Sequence, residues 1–139
     1  MRKEFVLEAK CDKNNNQFKY KLIYNFAFVT RYKRKIFTDS KIRKRAKEII
    51  QEKCQIMDIK ILKIVIKEEY IVIKIEAKPS YSPRYMIQAI KRYCSANLLK
   101  EFTELHTIPN LFTKAFIVST SSLSQNEISN FINQQKTRR

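Results

Sequence analysis

Glycine and tryptophan are absent from this sequence of 139 residues, and histidine occurs once. The lone histidine, His106 in "ELHTIPN", excludes a two-histidine centre within one chain and reads as a solvated loop side chain. Cys11, Cys54 and Cys94 stand far apart with no CxxC pair. Their odd number leaves at least one thiol unpaired in any intramolecular scheme, so reduced thiols are expected, two of them on helices. No apolar run approaches the roughly 18 residues that a membrane-crossing helix needs. The segment "MRKEFVLEAKCDKNNNQFKY" lacks the long apolar stretch of a secretory signal, so a cytoplasmic protein is expected. Acids are also scarce: 13 Asp and Glu face 29 Lys and Arg, a formal charge of +16.

A small domain this basic repels itself when folded and attracts polyanions, which makes nucleic acid the expected partner. Membrane attachment is the weaker option, because the basic helix described below has an apolar stripe narrow enough to be used up by a core. Drift in an AT-rich genome inflates Lys, Ile and Asn and fits the missing glycine and the "NNNQ" run, but leaves the deficit of acids unexplained. With 44% hydrophobic residues the chain is long enough for one domain with a real core.

Residues 1–17 are polar and expected as a flexible arm, residues 18–136 as the domain, and 137–139 as a tail. "FKYKLIYNFAFVT" (18–30) reads as a strand. The basic connector "RYKRKIFTDS" leads to a helix, "KIRKRAKEIIQEKCQ", with Asp39 or Ser40 as cap. Ile42, Ala46, Ile49 and Ile50 share one stripe of that helix, while Arg43, Lys44 and Lys47 point away from it. "MDIKILKIVIKE" and "EYIVIKIEA" read as an antiparallel hairpin closing near Lys67 to Glu69, although neither Gly nor Asn marks the turn. Alternation places Ile71, Ile73 and Ile75 on one face, and Tyr70, Val72 and Lys74 on the other.

Ser82 and Pro83 form an N-cap and first-turn pair for the helix "RYMIQAIKRYCSANLLKEF". "LFTKAFIVST" is a further strand, and "NEISNFINQQ" a short last helix with Ile128, Phe131 and Ile132 on one side. The order β-α-β-β-α-β-α is that of an α+β, ferredoxin-like split βαβ domain, an antiparallel sheet with two helices on one face. Its other face is left for a ligand, the last helix or a second subunit.

Together "RYKRKIF", "EYIVIKIEAKPSYSP", "AIKRYCSANLLKEF", "LFTKAFIVST" and "FINQQ" resemble the insertion-sequence 200/605 transposases, small single-tyrosine HUH enzymes that move single-stranded DNA. The resemblance runs from about residue 19 to 136. In that family two histidines on the strand here written "EYIVI" hold a divalent metal that polarises a DNA phosphate. The matching positions are Tyr70 and Val72, a poor ligand while its phenol is neutral and a side chain with no donor atom. A tyrosine on the last helix is the nucleophile; the matching Phe131 lacks the hydroxyl. A glutamine one turn later, matched by Gln135, completes the metal shell. The glycines that follow the last strand in the family are replaced here by "STSSL". Tyr81, Tyr85 and Tyr93 lie outside the helix that carries the reaction, and read as core or stacking residues.

The resemblance therefore implies a dimeric transposase-like protein without a metal or other cofactor, which binds single-stranded or hairpin nucleic acid, DNA ahead of RNA, and does not cleave it. Arg31, Lys33, Arg34 and Lys35, the outer helix face of Arg43, Lys44 and Lys47, Lys74, and Lys91 with Arg92 would supply a phosphate-tracking surface. Tyr32, set among them, would stack on an unpaired base. Two alternatives stay open: an active single-strand transposase or nuclease with a different constellation, and a protein-interaction module on a former DNA-binding scaffold.

Overall fold

The computed structural model describes residues 9–11, 17–106 and 110–135. Strands β1 (Ala9–Cys11) and β2 (Gln17–Lys19) pair as a separate two-stranded ribbon. Then come β3 (Leu22–Val29), helix α1 (Ser40–Ile56), the hairpin of β4 (Lys60–Ile66) and β5 (Tyr70–Ala77), and helix α2 (Pro83–Glu101). A short strand β6 (Ile117–Ser119) and helix α3 (Gln125–Asn133) complete the order. The main sheet is antiparallel throughout with strand order β4-β5-β3-β6, which is the split βαβ, ferredoxin-like topology.

Alternation sorts the two central strands. Phe26 and Phe28 of β3 and Ile71, Ile73 and Ile75 of β5 are fully buried against α1 and α2. From the helices come Ile42, Ala46, Ile49 and Ile50, then Met86, Ile87, Ile90 and Leu98, each stripe repeating at helical spacing. Burial of each large side chain in such a core contributes about 1.5–3 kcal/mol. Asp39 caps α1 by accepting from the Lys41 N–H at 2.9 Å, and Ser82 caps α2 by accepting from the Tyr85 N–H at 3.1 Å.

Two strands are shorter than expected. The run 18–30 breaks after Lys19, because β5 ends at Ala77, two residues before Pro79, and Leu22 is the last β3 residue with a partner there. Residues 17–19 pair instead with 9–11, so part of the segment expected as an arm carries strand pairing. The expectations for residues 1–8, 12–16 and 137–139 fall outside the described residues, as does the Cys11 side chain.

The run 111–120 meets the β3 segment twice, through β6 and through a bridge from Phe112 to Thr30 just past its end, and leaves the ladder in between. At that gap the Ala115 carbonyl accepts from Lys91 Nζ at 3.3 Å. Four residues, 113–116, here face only Phe28 and Val29, so the register shifts by two residues between the two contacts.

Candidate nucleic-acid interface

The second face of the sheet is built from Val29, Tyr70 and Val72, since register sets Val29 opposite Tyr70 and Ala27 opposite Val72. Helix α3 lies on this face: Ile128 and Ile132 are buried with Val29, and Tyr70, Val72, Leu123 and Phe131 pack around them. Ser124 caps the helix, accepting from the Glu127 N–H at 3.1 Å. Gln135 turns its amide back on its own helix, donating from Nε2 to the Phe131 carbonyl at 3.2 Å. The surroundings of Tyr70 and Val72 are thus an apolar cluster. Among the described residues no three His, Cys, Asp or Glu side chains group as a metal-binding set. A valine beside an apolar ring does not fit a divalent cation, which takes carboxylate, carbonyl or imidazole donors.

At the end of β3 the chain enters a short 3₁₀ turn, Arg31–Lys33. Tyr32 and Lys33 have φ of 60° and 53°, left-handed values that non-glycine residues adopt at a cost of about 1–2 kcal/mol each. In a chain without glycine such corners fall to other residues. The turn is anchored by the Arg31 N–H donating to the Leu111 carbonyl at 2.7 Å, and by Thr30 Oγ1 donating to the Arg34 carbonyl at 2.7 Å.

Two clefts meet here. One, of 580 Å³, runs between the turn, residues 113–115 and the end of the last helix, and is lined by Arg31, Tyr32, Lys114, Gln134 and Gln135. The other, of 360 Å³, lies between α2 and residues 110–116, and is lined by Arg31, Arg84, Lys91, Arg92, Lys114 and Phe116 among others. Arg31, Thr113 and Lys114 belong to both walls.

The expected phosphate-contacting residues divide into separate groups. Arg31, Tyr32 and Arg92 come together at the clefts, joined by Arg84 and Lys114, which sequence reasoning missed. Arg43, Lys44 and Lys47 are exposed on α1 and line neither cleft; the Arg43 guanidinium donates to the Phe37 carbonyl at 3.2 Å. Lys35 is exposed and 3.6 Å from Glu68, while Lys33 and Arg34 continue the same basic turn. Lys74 sits half-buried on the far face of the sheet, opposite Asn25 in register.

Lys91 corrects the sequence reading. It is not on the open surface, being only 7% exposed, and instead lies inside the smaller cleft. Its ammonium donates to the Ala115 carbonyl and lies 5.9 Å from the centre of the Phe116 ring. Burial pushes its pKa down from the usual lysine range to about 8.

The remaining candidates have structural partners. Tyr93 donates its hydroxyl to Glu52 at 2.9 Å, a bond that raises the phenol's pKa, and Lys53 lies 5.1 Å from its ring. Tyr81 and Tyr85 are a tilted pair with centroids 5.4 Å apart. The exposed His106 bonds through Nε2 to the Leu99 carbonyl. Cys54 and Cys94 are free, buried thiols on α1 and α2, and burial pushes both up to about 12.

Fold and site together define a basic-faced ferredoxin-like domain, with a helix packed over the second face of its sheet and a cationic cleft at one end. The family described as "Transposase IS200 like" matches residues 18–135, and the chain belongs to it. Among solved structures, a protein from Deinococcus radiodurans R1 described as a transposase aligns with a TM-score of 0.76 at 19% identity, over 86% of this chain and 94% of its own. A REP-associated tyrosine transposase bound to a REP hairpin aligns with a TM-score of 0.54 at 11% identity, over 83% of this chain and 66% of its own. No curated protein matches the chain at a significant level.

Proposed function

We propose that this member of the transposase family binds single-stranded or hairpin nucleic acid, DNA ahead of RNA, without cleaving it. The observation that carries this reading is the contrast between the two parts of the site. The cationic clefts at Arg31 and Lys114 are open and combine guanidinium groups with the Tyr32 ring, as strand binding requires. At the positions where the family resemblance calls for metal ligands and a nucleophile, Tyr70, Val72 and Phe131 instead share an apolar cluster. The REP-associated relative carries a bound hairpin, and a formal charge of +16 favours the same class of partner here.

A dimer belongs to the same reading, supported by the edge strand β4, whose outer side has no partner among the described residues, by Leu62 on that strand and by Ile56 at the end of α1, 42% and 61% accessible. Cytoplasmic residence is also part of it; among the described residues no helix is long and apolar enough to cross a membrane.

The test is incubation of the pure chain with end-labelled hairpin DNA and Mg²⁺ or Mn²⁺, alongside binding measurements on the same oligonucleotide. Retained hairpin with intact DNA is the expected result. Strand scission or a covalent protein–DNA adduct overturns the inactive assignment, and absence of binding at low salt overturns the partner. Sedimentation velocity measures the dimer, which Leu62→Lys is expected to weaken.

A further inference from the structure

The smaller cleft contains a charge without a counter-charge. Lys91, more than nine-tenths buried, spends one N–H on the Ala115 carbonyl and has no carboxylate partner among the described residues. A buried ammonium left in that condition is costly, and an anion placed beside it removes the cost. Around it, Arg31, Arg84, Arg92 and Lys114 line the same 360 Å³ space, and among the described residues no acidic side chain does. None of the five is ion-paired with a described residue.

The walls are built rather than incidental. Arg84, Gln88, Lys91, Arg92 and Ser95 project from one side of α2 at spacings of three to four residues and one turn beyond. The opposite wall is strapped in place: the Leu111 N–H donates to Ser95 Oγ at 3.1 Å, and the Thr113 N–H donates to the Val29 carbonyl at 3.1 Å. Thr113 Oγ1, in the wall shared with the larger cleft, is buried without a partner among the described residues.

We propose that this cleft is a binding site for a terminal phosphate monoester of a nucleic-acid strand, held between Lys91 within and Arg84 and Arg92 at the rim. A monoester carries close to two negative charges at neutral pH and three exposed oxygens, which suit several converging cations better than the single charge of an internal diester. Guanidinium groups take two such oxygens at once. The strand leaves through the shared wall at Arg31 and Lys114 into the larger cleft, where Tyr32 is placed to stack on a base. The inference rests on the nucleic-acid-binding reading above and adds to it a preference for phosphorylated ends.

The experiment is fluorescence anisotropy of the full chain with one hairpin oligonucleotide bearing a 5′-phosphate, a 3′-phosphate or hydroxyls at both ends. For the unaltered protein at least one phosphorylated form is expected to bind about tenfold tighter than the dihydroxyl form, the size of one well-placed charge-assisted contact. Lys91→Met, and separately the exposed pair Arg84→Gln with Arg92→Gln, are expected to bring that ratio within about twofold of unity. The double variant keeps the test open if Lys91→Met fails to fold.

Equal affinity for all three oligonucleotides overturns this inference and leaves the broader reading standing. A preference for phosphate that survives in the variants overturns the assignment of these residues. Failure to bind any oligonucleotide overturns both. Competition by deoxythymidine monophosphate, with no end preference among the strands, assigns the site to free nucleotides and overturns the strand source.

Discussion

Among the described residues, Lys91 is the one charged side chain that is buried. Its folded pKa, lowered by burial to about 8, lies below the usual lysine value of about 10.4 in the unfolded chain. Between those values the unfolded chain holds a proton that the folded one has released, so stability rises with pH across that window and the burial cost is fully present below it. Cys54 and Cys94 act in the opposite sense above about pH 9, where thiols ionise in the unfolded chain while burial keeps the folded ones neutral up to about 12. The clean window is therefore pH 7.5 to about 9. There the unaltered protein is expected to gain stability relative to Lys91→Met, as read by urea unfolding. At pH 7, Lys91→Met is expected to be the more stable by roughly 1–3 kcal/mol, because an uncompensated buried charge is replaced by a thioether. The signal was present in the sequence: Ile87, Lys91, Cys94 and Leu98 fall on one helical stripe. Grouping Lys91 with Arg92 as surface cations overlooked that stripe.

Helices and strands were legible where local chemistry alone fixes an end. Ser82 followed by Pro83, and Asp39 ahead of the basic helix, are the observed caps. Ser82→Ala is expected to cost about 1 kcal/mol of folding stability by thermal denaturation, through loss of the bond to the Tyr85 N–H. The last helix is held differently, with few residues and one small cluster. Ile132→Ala is expected to cost about 2 kcal/mol or more of the free energy that seats α3 on the sheet, and to expose Val29, Tyr70 and Val72. Faster amide exchange in residues 125–133, with the central strands unaffected, is the expected readout. Strand lengths were less legible than caps. The run 111–120 has a strand's composition throughout, yet only Ile117–Ser119 and a bridge at Phe112 pair, with two extra residues between them and the Ala115 carbonyl bonded to Lys91 of α2 instead.

For the molecule as a whole, charge sets the expected behaviour. Binding to hairpin DNA should weaken steeply with salt, log affinity falling by about 0.7–0.9 per decade of salt for each phosphate neutralised. With Arg31, Arg84, Arg92, Lys114 and Lys91 at one end of the sheet, about three to five phosphates are expected to count, which gives a slope of roughly −2 to −4.5. Lys44→Gln with Lys47→Gln, on α1 and outside both clefts, should lower the slope by less than Arg31→Gln with Lys114→Gln.

The order of elements, the two faces of the hairpin strands and the identity of the side chains at positions 70, 72 and 131 follow from the order of residues, because period, cap and donor atom are local properties. Which cations converge does not. Arg31, Arg84 and Lys114 lie far apart along the chain, and only the strapping of residues 110–116 between α2 and the end of β3 brings them to one cleft. Proximity across the fold, rather than any residue's own chemistry, turned a scattered positive charge into a surface with a direction.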